Sequence, residues 1–228
     1  MTQPLIPSKA PSLPIAPAQY DQRHDEQFSN ALRLYFTQVD NGLGAVVGVN
    51  GGRYIENPHI SAEDTGDQYA LGDDTPTLVQ WDTLSSSSGF TLDPGGYAVA
   101  EQDGVYKIDY SLQFANTDNA QHDVFVWLQT NGTVVPNSSS RFTLVARKSA
   151  SVPSYIVAYS SVMFEIQKDD EIRLWWATEK AYNPTGPVEG IYMEALPAQA
   201  SPPYVRPANP SAVGSITFVS RLPYNPPS

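Results

Sequence analysis

Apolar and polar residues alternate along the second half of the chain with a period of two. The segment 104–116 is the clearest case, because every second side chain is apolar: Tyr106, Ile108, Tyr110, Leu112 and Phe114. Such alternation predicts a strand with one buried face. Further strands are predicted at residues 78–84, 90–92, 122–130, 133–136, 141–147, 155–166, 171–178, 188–196 and 213–222. Consecutive antiparallel strands at this spacing, with no helix between them, predict an all-β sandwich or jelly roll.

Residues 20–41 have the different spacing of an amphipathic helix. Their apolar side chains recur every three or four positions and form one stripe: Phe28, Leu32, Tyr35, Phe36 and Val39. Asn41 and Gly42 predict the end of this short helix, because both tolerate the left-handed C-cap conformation. The stripe must be buried. It packs either on its own domain or in a small helical bundle shared between chains.

Residues 1–19 carry a proline at every third or fourth position. Because proline fixes φ and favours extended geometry in the residue before it, we predict an extended arm that reaches roughly 60 Å. Two interpretations stay open, a flexible tail or an arm whose apolar residues dock on a neighbouring subunit. For docking, the predicted anchoring residues are those of the arm and the helix stripe: Pro4, Leu5, Ile6, Pro7, Leu13, Pro14, Ile15, Phe28, Leu32, Tyr35, Phe36 and Val39.

Residues 42–77 predict an acidic, loop-rich connector, followed by the jelly-roll domain over residues 78–228. Five of the acidic residues in the connector offer oxygen ligands for a calcium ion: Glu63, Asp64, Asp67, Asp73 and Asp74. Their spacing does not match the known calcium loop, so we favour solvated turns over a metal site.

Composition excludes several classes of protein. The 228 residues include no cysteine, which excludes disulfides, zinc sites with cysteine ligands and thiol nucleophiles. A net charge of −11 argues against binding of nucleic acid or an anionic membrane through the general surface. No apolar run is long enough for a membrane helix, and the first residues lack a signal-peptide pattern. We therefore expect a protein made and assembled in a cytosol.

The residue types that carry chemistry do not form a catalytic pattern. His24, His59 and His122 are far apart in the sequence, so none pairs with another as metal ligands do. The chain has neither the serine elbow of hydrolases nor a phosphate-binding loop. We predict no enzymatic activity, no cofactor and no metal.

Four segments resemble the C1q and tumour-necrosis-factor jelly roll. The residues that carry this resemblance are Gly104, Tyr106, Asn131, Gly132, Asp169, Asp170, Ser215, Phe218 and Leu222. The sequence departs from the family at Val219 and Ser220, where a glycine is usual. The resemblance spans residues 78–222 and implies a homotrimer with aromatic-rich faces packed around a three-fold axis. The residues expected at the trimer interface are Tyr106, Tyr110, Phe114, Trp175, Trp176 and Phe218.

The segment 20–44 resembles a short helical motif near the start of virion-associated proteins of tailed bacteriophages. Together, the two resemblances imply a virion structural protein that is assembled in the host cytoplasm. The expected function is capsid decoration, in which a homotrimeric cement protein ties subunits of the major capsid protein together through its N-terminal arm.

An alternative stays open. The protein would then be the head of a short tail or head fibre, or a spike, attached to tail or portal components. It would bind a host receptor such as a surface glycan through loops 116–121 and 181–187. Tyr182 is a candidate for stacking on a sugar.

Overall fold

The structure is a computed structural model that describes residues 11–15, 19–47, 57–186, 189–201 and 204–222. These residues form one helix and fourteen strands. The chain divides between Glu56 and Asn57 into two compact units. The N-terminal unit contains the helix, and the second unit contains all of the described strands.

The helix α1 spans Gln22–Val47 and is longer than predicted. Asp21 caps its N-terminus, because the Asp21 carboxylate accepts the backbone N–H of Arg23 at 3.0 Å. The predicted end at Asn41 and Gly42 is wrong. Neither residue adopts the positive φ of a C-cap, so the helical hydrogen bonds continue through them.

The strands of the second unit are short at its beginning and long at its centre. They are β1 (His59–Asp64), β2 (Gln68–Tyr69), β3 (Thr77–Leu78), β4 (Thr83–Ser88), β5 (Phe90–Asp93), β6 (Tyr97–Ala100), β7 (Gly104–Asn116), β8 (His122–Thr130), β9 (Thr133–Val134), β10 (Ser140–Leu144), β11 (Ser154–Ile166), β12 (Glu171–Thr178), β13 (Ile191–Met193) and β14 (Ala212–Ser220).

These strands form two antiparallel sheets. The first sheet has the order β11-β7-β14-β1-β4, and β13 and β2 extend it beside the end of β7. The second sheet has the order β10-β8-β12-β6-β5, with β3 paired to β12 and β9 paired to β8. The inner faces of the two sheets enclose one hydrophobic core.

The pairing of the eight principal strands is nested. The outermost pair is β1 with β14, followed inward by β6 with β12, β7 with β11 and β8 with β10. The first principal strand thus pairs with the last, and the fourth pairs with the fifth. This nesting is the jelly-roll topology. The predicted fold class, an all-β antiparallel jelly-roll sandwich, is confirmed.

The predicted connector and domain boundary need correction. Residues 59–64 form β1, which lies between β14 and β4 in the first sheet, so the jelly roll begins well before residue 78. The predicted strand 78–84 is divided between the end of β3 and the start of β4. Residues 97–100 form β6, which the sequence analysis did not identify.

Most of the expected trimer-interface residues lie in the core of a single chain. Tyr106, Tyr110, Phe114 and Trp176 are at most 2% exposed, because their faces of β7 and β12 point toward the opposite sheet. The structure therefore assigns these four residues to the sandwich core and not to a surface between subunits.

The two remaining residues of that set are partly buried. Trp175 lies on the outer face of the second sheet, where its indole N–H donates to Gln129 Oε1 at 2.9 Å. Phe218 packs edge-on against Tyr106, with ring centroids 5.6 Å apart. Its ring leaves no room for a side chain at Gly104, where a Cβ atom would lie 2.7 Å from Phe218 Cε2.

The turn residues of the family resemblance also contact one another. Asn131, in the turn after β8, donates its amide N–H to Asp170 at 2.6 Å and accepts the backbone N–H of Glu171 at 2.9 Å. Asn131, Gly132 and Asp169 all have positive φ. The pattern that resembles the family is thus explained by turn geometry and packing within one sandwich.

The neighbours Trp175 and Trp176 provide a test of core burial. We expect Trp176→Ala to lower the free energy of unfolding by about 3–5 kcal/mol, because it leaves a large cavity in the core. Trp175→Ala removes a partly exposed ring and one hydrogen bond, so about 1 kcal/mol is expected. Chemical denaturation of both variants at one protein concentration measures the difference. Equal losses would contradict the assignment of Trp176 to the core.

Candidate interaction surfaces

The outer face of β11 carries four large apolar side chains beside the polar residues Ser161 and Glu165. Tyr155, Val157, Tyr159 and Met163 alternate with inward-facing residues, and their exposed fractions lie between 53% and 60%. We call these four residues the β11 face. Among the described strands, only β7 pairs with β11 through backbone hydrogen bonds, so β11 is an edge strand of 13 residues. A side-chain hydrogen bond from Ser140 on β10 to Ser160 also reaches it. Natural sheets seldom leave so long an edge strand uncovered.

The strand beside the β11 face carries a fixed charge pair. Asp109 on β7 accepts hydrogen bonds from Lys107 Nζ at 2.9 Å and from the hydroxyl of Tyr159 at 3.0 Å. Partial burial alone would raise the pKa of Asp109, but hydrogen bonds from Lys107, Ser161 and Tyr159 outweigh it and lower the pKa. A charged Asp109 therefore holds the Tyr159 ring in place.

A cluster of three tyrosines lies near the ends of β2 and β13. The ring centroids of Tyr69, Tyr182 and Tyr192 are 5.0–5.8 Å apart, so each ring contacts the other two. Burial, followed by the hydrogen bond that the Tyr192 hydroxyl donates to Glu194 at 2.8 Å, raises the pKa of Tyr192 far above its usual range. Tyr192 is therefore neutral at physiological pH, and the cluster is a rigid aromatic surface.

A cavity of about 490 Å³ lies beside this cluster, and we call it the loop cavity. Its walls include Thr117, Arg147 and Tyr182, which come from three separate loops. Arg147 donates to the backbone oxygen of Thr117 at 3.0 Å and forms an ion pair with Glu189. The cavity thus brings together the two loops, 116–121 and 181–187, that the receptor-binding alternative names.

The carboxylates of the possible calcium site bind separate parts of the backbone. Asp64 accepts the N–H of Gly66 at 2.9 Å, Asp67 accepts that of Ala195 at 2.8 Å, and Asp73 accepts that of Ala181 at 2.8 Å. Within the described ranges, no three acidic or histidine side chains are grouped as metal ligands. In this arrangement the carboxylates fasten loops to the sandwich.

Asp64 should make stability depend on pH. Burial, with Asp82 nearby, raises its pKa above 3.8, although hydrogen bonds from Gly66 and Ser211 oppose this. The folded state therefore disfavours the charged form, and stability is lost as pH rises from about the unfolded pKa through the raised folded pKa. The variant Asp64→Asn keeps an acceptor oxygen but does not ionise.

We expect the unfolding free energy of Asp64→Asn, relative to wild type, to increase between pH 4 and pH 7. The slope should not exceed about 1.4 kcal/mol per pH unit. Chemical denaturation of both proteins across this pH range measures the difference in unfolding free energy. The contributions of the other titrating groups are the same in both proteins and cancel in this difference. A relative stability that falls with pH would contradict the assignment.

The predicted anchoring residues are exposed wherever the structure describes them. Ile15 and Leu13 are 94% and 44% exposed, and Phe36 on the helix is 57% exposed. The remaining described members are at least partly exposed: Pro14, Phe28, Leu32, Tyr35 and Val39. Pro4, Leu5, Ile6 and Pro7 lie outside the described residues.

The β11 face is the surface that the sequence analysis did not find. Both faces of residues 155–166 contain apolar residues, so alternation marks a strand here without distinguishing the core side from the outer side. The sequence feature that could have indicated this surface is the position of two tyrosines, Tyr155 and Tyr159, on the same face of the strand as Val157 and Met163.

Comparisons with known proteins give no family. No family model matches this chain, and no curated protein matches it. Similar solved structures include the globular domain of zebrafish complement 1qA protein, which is 13% identical in sequence and has a TM-score of 0.41. This similarity covers 73% of the present chain and 100% of the zebrafish chain. Eiger TNF from S. frugiperda is also similar, with 13% sequence identity and a TM-score of 0.40. This similarity covers 74% of the present chain and 96% of the Eiger chain. The nested strand pairing, and not these likenesses, establishes the jelly roll.

None of the helical segments among the described residues has the length and apolar character needed to span a bilayer.

Proposed function

We propose that this chain is a non-enzymatic structural protein of a tailed-bacteriophage virion. It forms a homotrimer that decorates the capsid, and its N-terminal unit ties neighbouring subunits of the major capsid protein together. The virion context and the trimer come from the sequence resemblances. The exposed surfaces of the two units support the proposal by offering one surface for each kind of contact.

The β11 face supports the trimer, with a second copy of the chain as its occupant. Uncovered, a 13-residue edge strand with four exposed apolar side chains is a site for uncontrolled association. When identical subunits contact each other through two different surfaces, and each subunit is rotated by a third of a turn relative to the next, three subunits form a closed ring. Such a ring protects every β11 edge at once. The proposed interface therefore moves from the aromatic residues of the core to Tyr155, Val157, Tyr159 and Met163.

The observation that carries the decoration function is the exposure of the predicted anchoring side chains. Leu13, Ile15 and Phe36 leave apolar surface uncovered within their own unit. Burial of each such side chain on a partner contributes about 1.5–3 kcal/mol, and a capsid presents many copies of the partner. Mechanically, the protein adds contact area between capsid subunits and performs no chemistry.

The loop cavity favours the alternative function. A head on a short fibre needs a recognition surface, and a cavity of about 490 Å³ beside three packed tyrosines offers one. In that case the N-terminal unit attaches the head to tail or portal components.

Copy number in purified particles distinguishes the two functions. We expect about one to a few chains per major capsid subunit, measured by quantitative mass spectrometry of purified virions. A ratio of a few chains per hundred capsid subunits would instead establish the fibre head. Absence from the particles would contradict both functions.

A further inference from the structure

The loop cavity has the dimensions of a small-molecule site. Its volume of about 490 Å³ falls within the range of ligand pockets, which is about 300–1,000 Å³. Its described walls include Thr117, Arg147, Ser149, Ser151, Tyr182 and Glu189. Neither the trimer nor the capsid contact proposed above uses these residues.

Tyr182 supplies the cavity with a fixed aromatic wall. Its ring packs against Tyr192 at 5.0 Å and against Tyr69 at 5.8 Å, and its backbone N–H donates to Ile191 at 3.1 Å. Two ring contacts and one backbone contact limit its rotation before any ligand arrives. An immobilised aromatic ring is suited to the apolar C–H face of a sugar, because little side-chain entropy is lost on binding.

The polar walls favour a ligand rich in hydroxyl groups. Glu189 presents a carboxylate with 44% of its side chain exposed, and Ser149 and Ser151 also line the cavity. Carboxylates accept hydrogen bonds from hydroxyl groups, and serine side chains both donate and accept them.

The charges of the cavity favour a neutral ligand. Arg147 is only 19% exposed, and its Nη1 group donates both to the carboxylate of Glu189 and to the backbone oxygen of Thr117. Because Arg147 and Glu189 cancel, the described walls carry no net charge. The chain as a whole carries −11 and repels anions.

We propose that the loop cavity binds a neutral saccharide. Tyr182 stacks on the face of one sugar ring, and Glu189, held by Arg147, accepts its hydroxyl groups. This inference rests on the receptor-binding alternative and deepens it by naming the class of ligand, and it does not depend on the trimer. A saccharide site on a capsid protein or on a fibre head would bring the particle to a glycan-bearing surface.

The test uses the full chain and a defined panel of probes. The neutral probes are galactose, glucose, N-acetylglucosamine and their disaccharides, and the acidic probes are glucuronate and sialic acid. Saturation-transfer NMR identifies binders, and titration gives the affinities. We expect at least one neutral probe to bind and both acidic probes to bind more weakly.

Four variants connect binding to the cavity. Tyr182→Ala should lower affinity about tenfold, whereas Tyr182→Phe keeps the ring and should retain it. Tyr204→Ala, which removes a 63% exposed tyrosine elsewhere, should bind like wild type. Glu189→Gln leaves Arg147 without its partner, so this variant should gain affinity for glucuronate. This gain does not involve Tyr182, so it tests the cavity independently of any unfolding that Tyr182→Ala causes.

Three results would overturn the proposal. They are binding of none of the neutral probes, binding of acidic probes as tightly as neutral ones by wild type, and unchanged affinity of Tyr182→Ala. Each of these leaves the decoration function unaffected, because the copy number of the protein in particles is measured independently.

Discussion

Two aspartates on the β11 face should convert the proposed homotrimer into a folded monomer. The variant carries Val157→Asp and Tyr159→Asp, at positions that are 53% and 58% exposed in one chain. In a single subunit both side chains stay largely in water, and loss of the hydrogen bond from Tyr159 to Asp109 should lower the subunit's own stability by only about 1 kcal/mol. In the proposed trimer, however, the two carboxylates would be buried against the neighbouring subunit, and each subunit would lose several kcal/mol of association free energy.

Light scattering and circular dichroism measure this result together. We expect a monomeric mass with an unchanged β-sheet spectrum at micromolar concentration. The matched control is Val134→Asp on β9, which is 53% exposed on the other sheet and should remain trimeric. A double variant that remains trimeric would remove the β11 face from the interface.

Deletion of residues 1–19 should abolish capsid binding and leave a folded trimer. The arm carries the apolar residues Leu5, Ile6, Leu13 and Ile15 but none of the described strands. Its prolines restrict the unbound arm, so less conformational entropy is lost when it orders on the capsid. Co-sedimentation with particles that lack the protein measures binding, and a wild-type level of binding would contradict the role of the arm.

A second variant separates the reach of the arm from its apolar contacts. It keeps the length and the prolines and replaces Leu5, Ile6, Leu13 and Ile15 with serine. We expect this variant to bind as poorly as the deletion, because the contacts and not the length supply the binding energy. Binding near the wild-type level would assign the arm to a spacer function.

The long central strands could be predicted to the residue. The predicted and observed ranges of β7, β8 and β12 are identical, because alternation over eight or more residues leaves little choice of boundary. Among the short strands, β5 and β9 were predicted at about their observed places, but β1, β2 and β6 were not predicted. The segment His59–Asp64 contains two acidic residues and lacks a strand pattern that can be recognised from sequence. It forms a strand because it pairs with β14 on one side and β4 on the other.

The predicted end of the helix was wrong because the local sequence allows more than one conformation there. Asn41 and Gly42 permit a left-handed cap but do not impose one. In the structure both continue the helix, and the cost of glycine within a helix, about 1 kcal/mol, does not end it.

The interaction surfaces were the least predictable feature. Alternation shows that Tyr106, Tyr110 and Phe114 share a face, but it does not show what covers that face. The opposite sheet of the same chain covers it, so these aromatic residues were not free for a neighbouring subunit. The tyrosine cluster is hidden in a different way, because Tyr69 and Tyr182 are distant in sequence and meet only through the fold.

The native mass of the full chain tests the central claim, that this jelly roll is one subunit of a homotrimer. Native mass spectrometry at micromolar concentration should give three times the chain mass of 24.9 kDa. The dissociation constant should be too low for monomer to be abundant at that concentration. A single species of 24.9 kDa would contradict the account, because the β11 face would then be exposed to solvent in the free protein.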